Sequence, residues 1–166
     1  MKNAFMLLML ALTLGACENP YDLVDDSKTY QGLPFVCVSS EQAVIRLGVS
    51  PNGNQTELPG VFKDSLVLSH ALDHDLTVML ELVAEETHGV LETNFSFQQR
   101  VTIEAGKNFG SFLVRAIGVP ASEVGKYKLS IRVKEVNDAQ VIAGLYGAKK
   151  ENEERKKRFK TYSFQQ

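Results

Sequence analysis

Residues 126–133 alternate without a fault. Tyr127, Leu129, Ile131 and Val133 fall on one side, and Lys126, Lys128, Ser130 and Arg132 on the other. A period of two sends successive side chains to opposite faces of a strand, whereas a helix would scatter them around its axis. Residues 76–83 repeat the pattern, with Leu76, Val78, Leu80 and Leu82 opposed to Thr77, Met79 and Glu81. The leucines would also suit a helix, but the period decides for a strand. Residues 43–49 alternate Ala43, Ile45, Leu47 and Val49 against Val44, Arg46 and Gly48, and Ser50-Pro-Asn-Gly-Asn54 is a turn. A further strand is expected over 61–69. Residues 101–104 and 109–117 flank Ala105-Gly106-Lys107, a hairpin-type connection. Short strands spaced by turn residues, with no sustained helical period, predict an all-β antiparallel sandwich.

The N-terminus is of another kind. After Met1-Lys2-Asn3, residues 4–14 are apolar except for Thr13. A basic start and a short apolar run make an export signal; spanning a bilayer takes about 20 apolar residues. Leu14-Gly15-Ala16-Cys17 follows. It resembles the lipobox of bacterial lipoproteins. The resemblance implies cleavage before Cys17, a diacylglycerol thioether on its sulfur and acylation of its new amine. One acyl chain holds a protein to a membrane only marginally, so several chains make the anchor stable. The rival reading is an ordinary export signal with a cysteine nearby by chance.

If Cys17 carries lipid, Cys37 has no partner, because the chain contains two cysteines. That excludes a disulfide framework. Cys37 lies in Pro34-Phe-Val-Cys-Val38, a strand-like run, and is expected to be a buried structural thiol. Residues 18–32 are polar and carry Glu18, Asp22, Asp25 and Asp26. They read as a solvated tether, with a sorting signal as the alternative.

Charge is uneven. Residues 148–166 hold seven basic and three acidic residues, whereas the whole chain is net −2. Nucleic acid is not an expected partner of an exported, net-acidic protein. In residues 149–160, Glu151–Arg155, Glu153–Lys157 and Glu154–Arg158 are each spaced by four, acid first, as a helix favours. The stretch has no apolar face, so it is either a solvated helix or unstructured. Residues 159–164 regain β-type residues and could add a final edge strand.

From residue 64 to 136 the order of features becomes recognisable. Leu68-Ser-His-Ala-Leu-Asp-His-Asp75 is followed by the strand 76–83, then by Asn94-Phe-Ser-Phe97, Val101-Thr-Ile-Glu-Ala-Gly-Lys107, Ser111-Phe-Leu-Val114 and Gly125-Lys-Tyr-Lys-Leu-Ser-Ile131. This resembles the Calx-beta type of immunoglobulin-like sandwich. It resembles more closely the small N-terminal domains of surface lipoproteins in glycan-utilising Gram-negative bacteria. In those domains the 101–107 motif carries proline where Glu104 stands here. The resemblance implies an immunoglobulin-like sandwich and an accessory role in capture at the outer membrane. Calx-beta domains of the exchanger type hold calcium through clustered acids. Asp73, Asp75 and Glu92 are the nearest counterparts, the dense clusters are missing, and calcium is not carried over.

Few constellations carry chemistry. His70 and His74 are four apart, a spacing that puts two imidazoles on one helical face as zinc sites do. No third nitrogen or sulfur ligand is evident, and His88 is distant in sequence, so an exposed polar loop is the simpler reading. Lys126, Lys128, Arg132 and Lys134 share one strand face, either as an anion-binding stripe or as a solvated face paired with acids such as Glu81. Exposed rings would stack on sugars. Tryptophan is absent; Tyr21, Tyr30, Tyr146, Phe159, Tyr162 and Phe164 lie outside the firm strands. No Gly-x-Ser-x-Gly, His-Glu-x-x-His or Walker-type loop is present. Asn54-Gln-Thr56 and Asn94-Phe-Ser96 match the glycosylation pattern by chance.

The expected organisation is a signal peptide over 1–16, a lipidated tether over 17–33, an immunoglobulin-like sandwich over 34–147 and a charged tail over 148–166. The expected function is a non-catalytic, cofactor-free binding or assembly module. It would be anchored to the cell outer membrane through lipid on Cys17, with a glycan or an envelope protein as partner. The surface and periplasmic faces both remain open. The alternative is a structural lipoprotein that docks onto a partner complex through its edge strand or basic tail. A small hydrolase is a remote third.

Overall fold

The computed structural model describes residues 32–48, 57–144 and 157–165. Cys17, the acids of the tether, the 50–54 turn and the charged run 148–156 lie outside the described residues.

The period-two segments become strands: β1 (Phe35–Val38), β2 (Gln42–Arg46), β3 (Glu57–Leu68), β4 (Leu76–Leu82), β5 (Phe95–Phe97), β6 (Arg100–Ile103), β7 (Phe109–Pro120), β8 (Lys128–Val136), β9 (Ile142–Ala143) and β10 (Phe159–Gln165). They form two sheets, ordered β5-β7-β3-β1-β9 and β2-β10-β8-β4-β6. The pairings are antiparallel except β1 with β9 and β10 with β2, which are parallel and lie at sheet edges. Alternate residues of both sheets meet in one core that includes Val36, Leu66, Phe112 and Val114 from the first sheet and Val78, Leu129, Ile131 and Phe164 from the second. Phe95 and Phe164 stack across it with ring centroids 5.3 Å apart. The chain is therefore an all-β sandwich, as its alternation predicts.

Three local expectations are corrected. The segment Ala105-Gly106-Lys107 does not close a hairpin, because β6 pairs with β4 in one sheet while β7 pairs with β3 and β5 in the other. It carries the chain between sheets. Gly106 supplies the left-handed turn at φ 74°, and its N–H donates to the Leu72 carbonyl at 2.7 Å. Just beyond, Gly110 lets β6 and β7 approach; a Cβ there would stand 2.8 Å from Ile103 and 2.9 Å from the Thr102 carbonyl. Secondly, Ser130 is on the outer side of β8 but is buried. Its N–H donates to Thr87 Oγ1, which follows a short 3-10 turn (Ala84–Glu86), and its hydroxyl bonds to Thr161 at 2.7 Å.

The third correction matters most. The expected edge strand at the C-terminus is an interior strand. β10 lies between β2 and β8, with Lys160, Tyr162 and Phe164 pointing into the core. Lys160 is 2% exposed, and its Nζ reaches Asp64 Oδ2 of β3 at 2.6 Å, Ser40 Oγ at 2.9 Å and Ser39 Oγ at 3.2 Å. The Tyr162 hydroxyl donates to Asp64 Oδ2 at 2.8 Å, and Ser65 N–H and the Ser39 hydroxyl donate to Oδ1. Burial pushes the Asp64 carboxyl up, but hydrogen bonds from Lys160, Tyr162 and Ser65 outweigh it and hold it below the usual range. Burial, with the Asp64 charge beside it, raises the Tyr162 phenol. The network ties the two sheets together, and among the described residues no buried side-chain polar atom lacks a partner.

Candidate functional site: the outer face of the first sheet

On β3, Asp64, Leu66 and Leu68 point inward, which sends Val61, Lys63, Ser65 and Val67 outward. On β7 the outward set is Phe109, Ser111, Leu113, Arg115 and Ile117. The register sets Val67 beside Phe109, Ser65 beside Ser111, Lys63 beside Leu113 and Val61 beside Arg115. Ser96 of β5 sits beside Arg115. Val61, Phe109 and Ile117 are 68%, 56% and 43% exposed. Lone exposed apolar residues are ordinary, but several on one face mark a surface able to take a partner. At the β5 side of this face lies a shallow cleft of about 290 Å³, lined by Ser96, Phe97, Gln98, Leu113 and Arg115.

The outer face of the second sheet is more self-contained. Arg132 pairs with Glu81 across β4 and β8 and lies over the Phe159 ring, 5.8 Å from its centroid. Lys134 is 3.9 Å from the same carboxylate. Lys128, Arg132 and Lys134 thus share a strand face. Lys126 leaves it, because after Pro120 the chain winds into a 3-10 turn, Ala121–Lys126, where Lys126 bonds Glu123 at 2.8 Å. The basic stripe is therefore shorter than the sequence suggests and partly neutralised by Glu81.

The two histidines are engaged separately. Residues 69–75 form bends rather than a helix, so the four-residue spacing does not align them. His70 Nδ1 bonds Ser69 Oγ at 2.8 Å. His74 lies between Asp73, 2.7 Å from Nδ1, and Asp138, 3.2 Å from Nε2. Asp75 accepts from the Ala105 N–H at 2.8 Å, fixing the crossover, and Glu92 stands in a separate turn at φ 63°. Among the described residues no three histidine, cysteine or acidic side chains are grouped as a metal site.

The Asp73 hydrogen bond, with help from Asp138, raises the His74 imidazole above its usual value. A raised folded value means that the contact contributes fully below about pH 6.5. Its contribution is lost as pH climbs through the folded value. The expected result is that an NMR titration of the His74 ring reports a midpoint above that of His74 in Asp73→Asn. Equal midpoints would contradict the assignment.

Cys37 is buried, and burial pushes its thiol up against a smaller opposing pull from Lys157. Of the aromatic residues considered for sugar stacking, Tyr162 and Phe164 are buried and Phe159 is half-buried beside Arg132. Tyr21, Tyr30 and Tyr146 lie outside the described residues. Among the described residues the exposed ring is Phe109, whose strand position was legible but whose face was not. Asn94, within a glycosylation-type triplet, is structural: its side chain accepts from Val90 N–H and donates to the Gly118 carbonyl.

No protein-family model matches the chain, and no curated protein matches it in sequence. Solved structures do share the fold. A candidate carbohydrate-binding protein from Bacteroides ovatus superposes with a TM-score of 0.53 at 16% identity, over 79% of this chain and 36% of that one. A two-domain protein of unknown function from Bacteroides fragilis gives 0.54 at 12% identity, over 80% and 45%. A third, of unknown function from Bacteroides ovatus, gives 0.52 at 10% identity, over 78% and 43%. This chain therefore spans less than half the length of these three proteins, and the likeness is one of fold. What the chain shares with these Bacteroides proteins is the two-sheet β-sandwich fold.

Proposed function

We propose that the chain is a lipid-anchored binding module of the bacterial cell envelope, accessory to glycan capture at the outer membrane. The observation that carries the reading is an order of parts: the apolar run over 4–14 and Leu14-Gly15-Ala16-Cys17 stand ahead of a sandwich whose first sheet, among the described residues, exposes apolar side chains on its outer face. Lipid on Cys17 would hold the domain at a membrane, and the tether would let it present that face. The immunoglobulin-like character of the sandwich belongs to this reading. So do the lipidated tether over 17–33 and the outer-membrane location. The fold shared with a candidate carbohydrate-binding protein gives glycan priority over protein as the captured partner. In this reading the module binds and does not catalyse.

Proteinase K applied to intact cells tests it. Loss of the protein while a periplasmic control survives is the expected result. Protection until lysis would overturn capture at the outer surface and favour docking inside the envelope. The interior place of β10 limits that docking reading, since this strand already pairs with β2 on one side and with β8 on the other.

A further inference from the structure

The outer face of the first sheet carries two cations and, among the described outward side chains of β3, β5 and β7, no acid. Lys63 faces Leu113 and Arg115 faces Val61, so the cations lie on one diagonal of the β3–β7 ladder. Diagonal neighbours stand about 7–8 Å apart at their origins. Neither side chain has a hydrogen bond or ion pair among the described residues, whereas Arg132 and Lys134 on the other sheet turn to Glu81. Two unneutralised like charges side by side repel, and an anion placed between them removes that repulsion.

The surroundings narrow the anion. Arg115 lines the 290 Å³ cleft together with Ser96 and Gln98, whose side chains can exchange hydrogen bonds with hydroxyl groups. Gln98 Nε2 is held by the Arg100 carbonyl at 2.9 Å, which leaves its side-chain oxygen as an acceptor. Leu113 supplies an apolar wall, while Phe97 lines the cleft from a side chain that is buried in the core. The planar guanidinium suits a carboxylate, which it can bind through two parallel N–H bonds. A concave site with one such anchor, hydroxyl partners and an apolar wall fits a sugar ring better than a flat lipid surface does.

We propose that this face binds a carboxylated saccharide. Arg115 takes the carboxylate, Lys63 contributes the second positive charge, and Ser96 and Gln98 take ring hydroxyls. The inference rests on the glycan-capture reading and adds the charge class of the ligand.

Calorimetric titration of the mature chain carrying Cys17→Ser tests it, with three probes: oligogalacturonate, oligoglucuronate and sialyllactose. Each is set beside its methyl ester. The expected result is salt-sensitive binding of at least one acid, with its ester at least tenfold weaker. Arg115→Gln should lower affinity for the acid at least tenfold and Lys63→Gln severalfold. Both variants should keep the parent melting temperature, since these side chains are exposed and, among the described residues, unpaired. Equal binding of acid and ester would overturn the charge class while leaving glycan capture standing. Unchanged affinity in Arg115→Gln would overturn the site. Binding of none of the three acids would overturn the inference, and if anionic phosphatidylglycerol vesicles were bound instead through Lys63 and Arg115, the face would be a membrane contact.

Discussion

Replacing Lys160 by alanine is expected to cost about 3–5 kcal/mol of folding stability, read as a fall in the urea midpoint. The reason is what stays behind. Asp64 is 8% exposed and would remain in the core with hydrogen bonds from Tyr162, Ser39 and Ser65 but no cation. Truncating one member of a buried pair leaves an uncompensated charge, which costs more than the pair itself contributes. Removing both charges should therefore be milder. The double variant Asp64→Asn/Lys160→Met keeps polar partners for Tyr162 and Ser65 and should recover at least half of the loss. pH gives a second readout. In the parent, the Asp64 carboxyl is held low, so its contribution is present above about pH 4. It is lost as pH falls through the depressed folded value. In Lys160→Ala the lowering supplied by the Lys160 hydrogen bond and charge is gone, so the carboxyl sits higher than in the parent and acidification should narrow the gap between them. A loss below about 1 kcal/mol, the worth of a surface pair, would contradict the buried network.

Deleting residues 157–166 is expected to abolish cooperative folding altogether. β10 pairs with β2 on one side and β8 on the other, so its removal splits the second sheet. Among the described strands, β2 loses its one partner. The core loses Tyr162 and Phe164, and large aromatic truncations alone cost about 3–5 kcal/mol each. Asp64 loses both Lys160 and Tyr162 as well. Together these losses reach the ~5–15 kcal/mol that a domain has in all. The measurement is a urea transition together with the dispersion of amide NMR resonances. A truncated chain that still unfolds cooperatively would contradict the placement of β10. A practical consequence follows: loss of a partner on deleting 148–166 reports unfolding, not a docking tail.

The strands were the legible part of this sequence. Residues 76–83 and 126–133 obey the period of two, and the sandwich follows from such segments separated by turns. Lys160 was hidden by its neighbours. It closes a run of charges from residue 149, which reads as solvent-facing. The signal that could have found it is short: Lys160, Tyr162 and Phe164 alternate with Phe159, Thr161 and Ser163, so lysine falls on the tyrosine face. Strand order was also beyond local reading, because β10 enters the sheet between two earlier strands, β2 about 120 positions before it and β8 about 30 positions before it. The 105–107 turn misled for a related reason. A tight turn shows that the chain reverses, not whether it returns to the same sheet. The Lys63–Arg115 diagonal likewise depends on register between β3 and β7. Each residue alone is an ordinary strand cation, and their pairing exists only in three dimensions.

The lipid anchor remains the claim on which the functional account turns, and mass spectrometry of the protein extracted from membranes tests it most directly. The expected N-terminal peptide begins at Cys17 and is heavier than its sequence by a diacylglyceryl group and one acyl chain, with no such species from Cys17→Ser. A mature chain that begins elsewhere, or one that begins at Cys17 with an unmodified thiol, would contradict it.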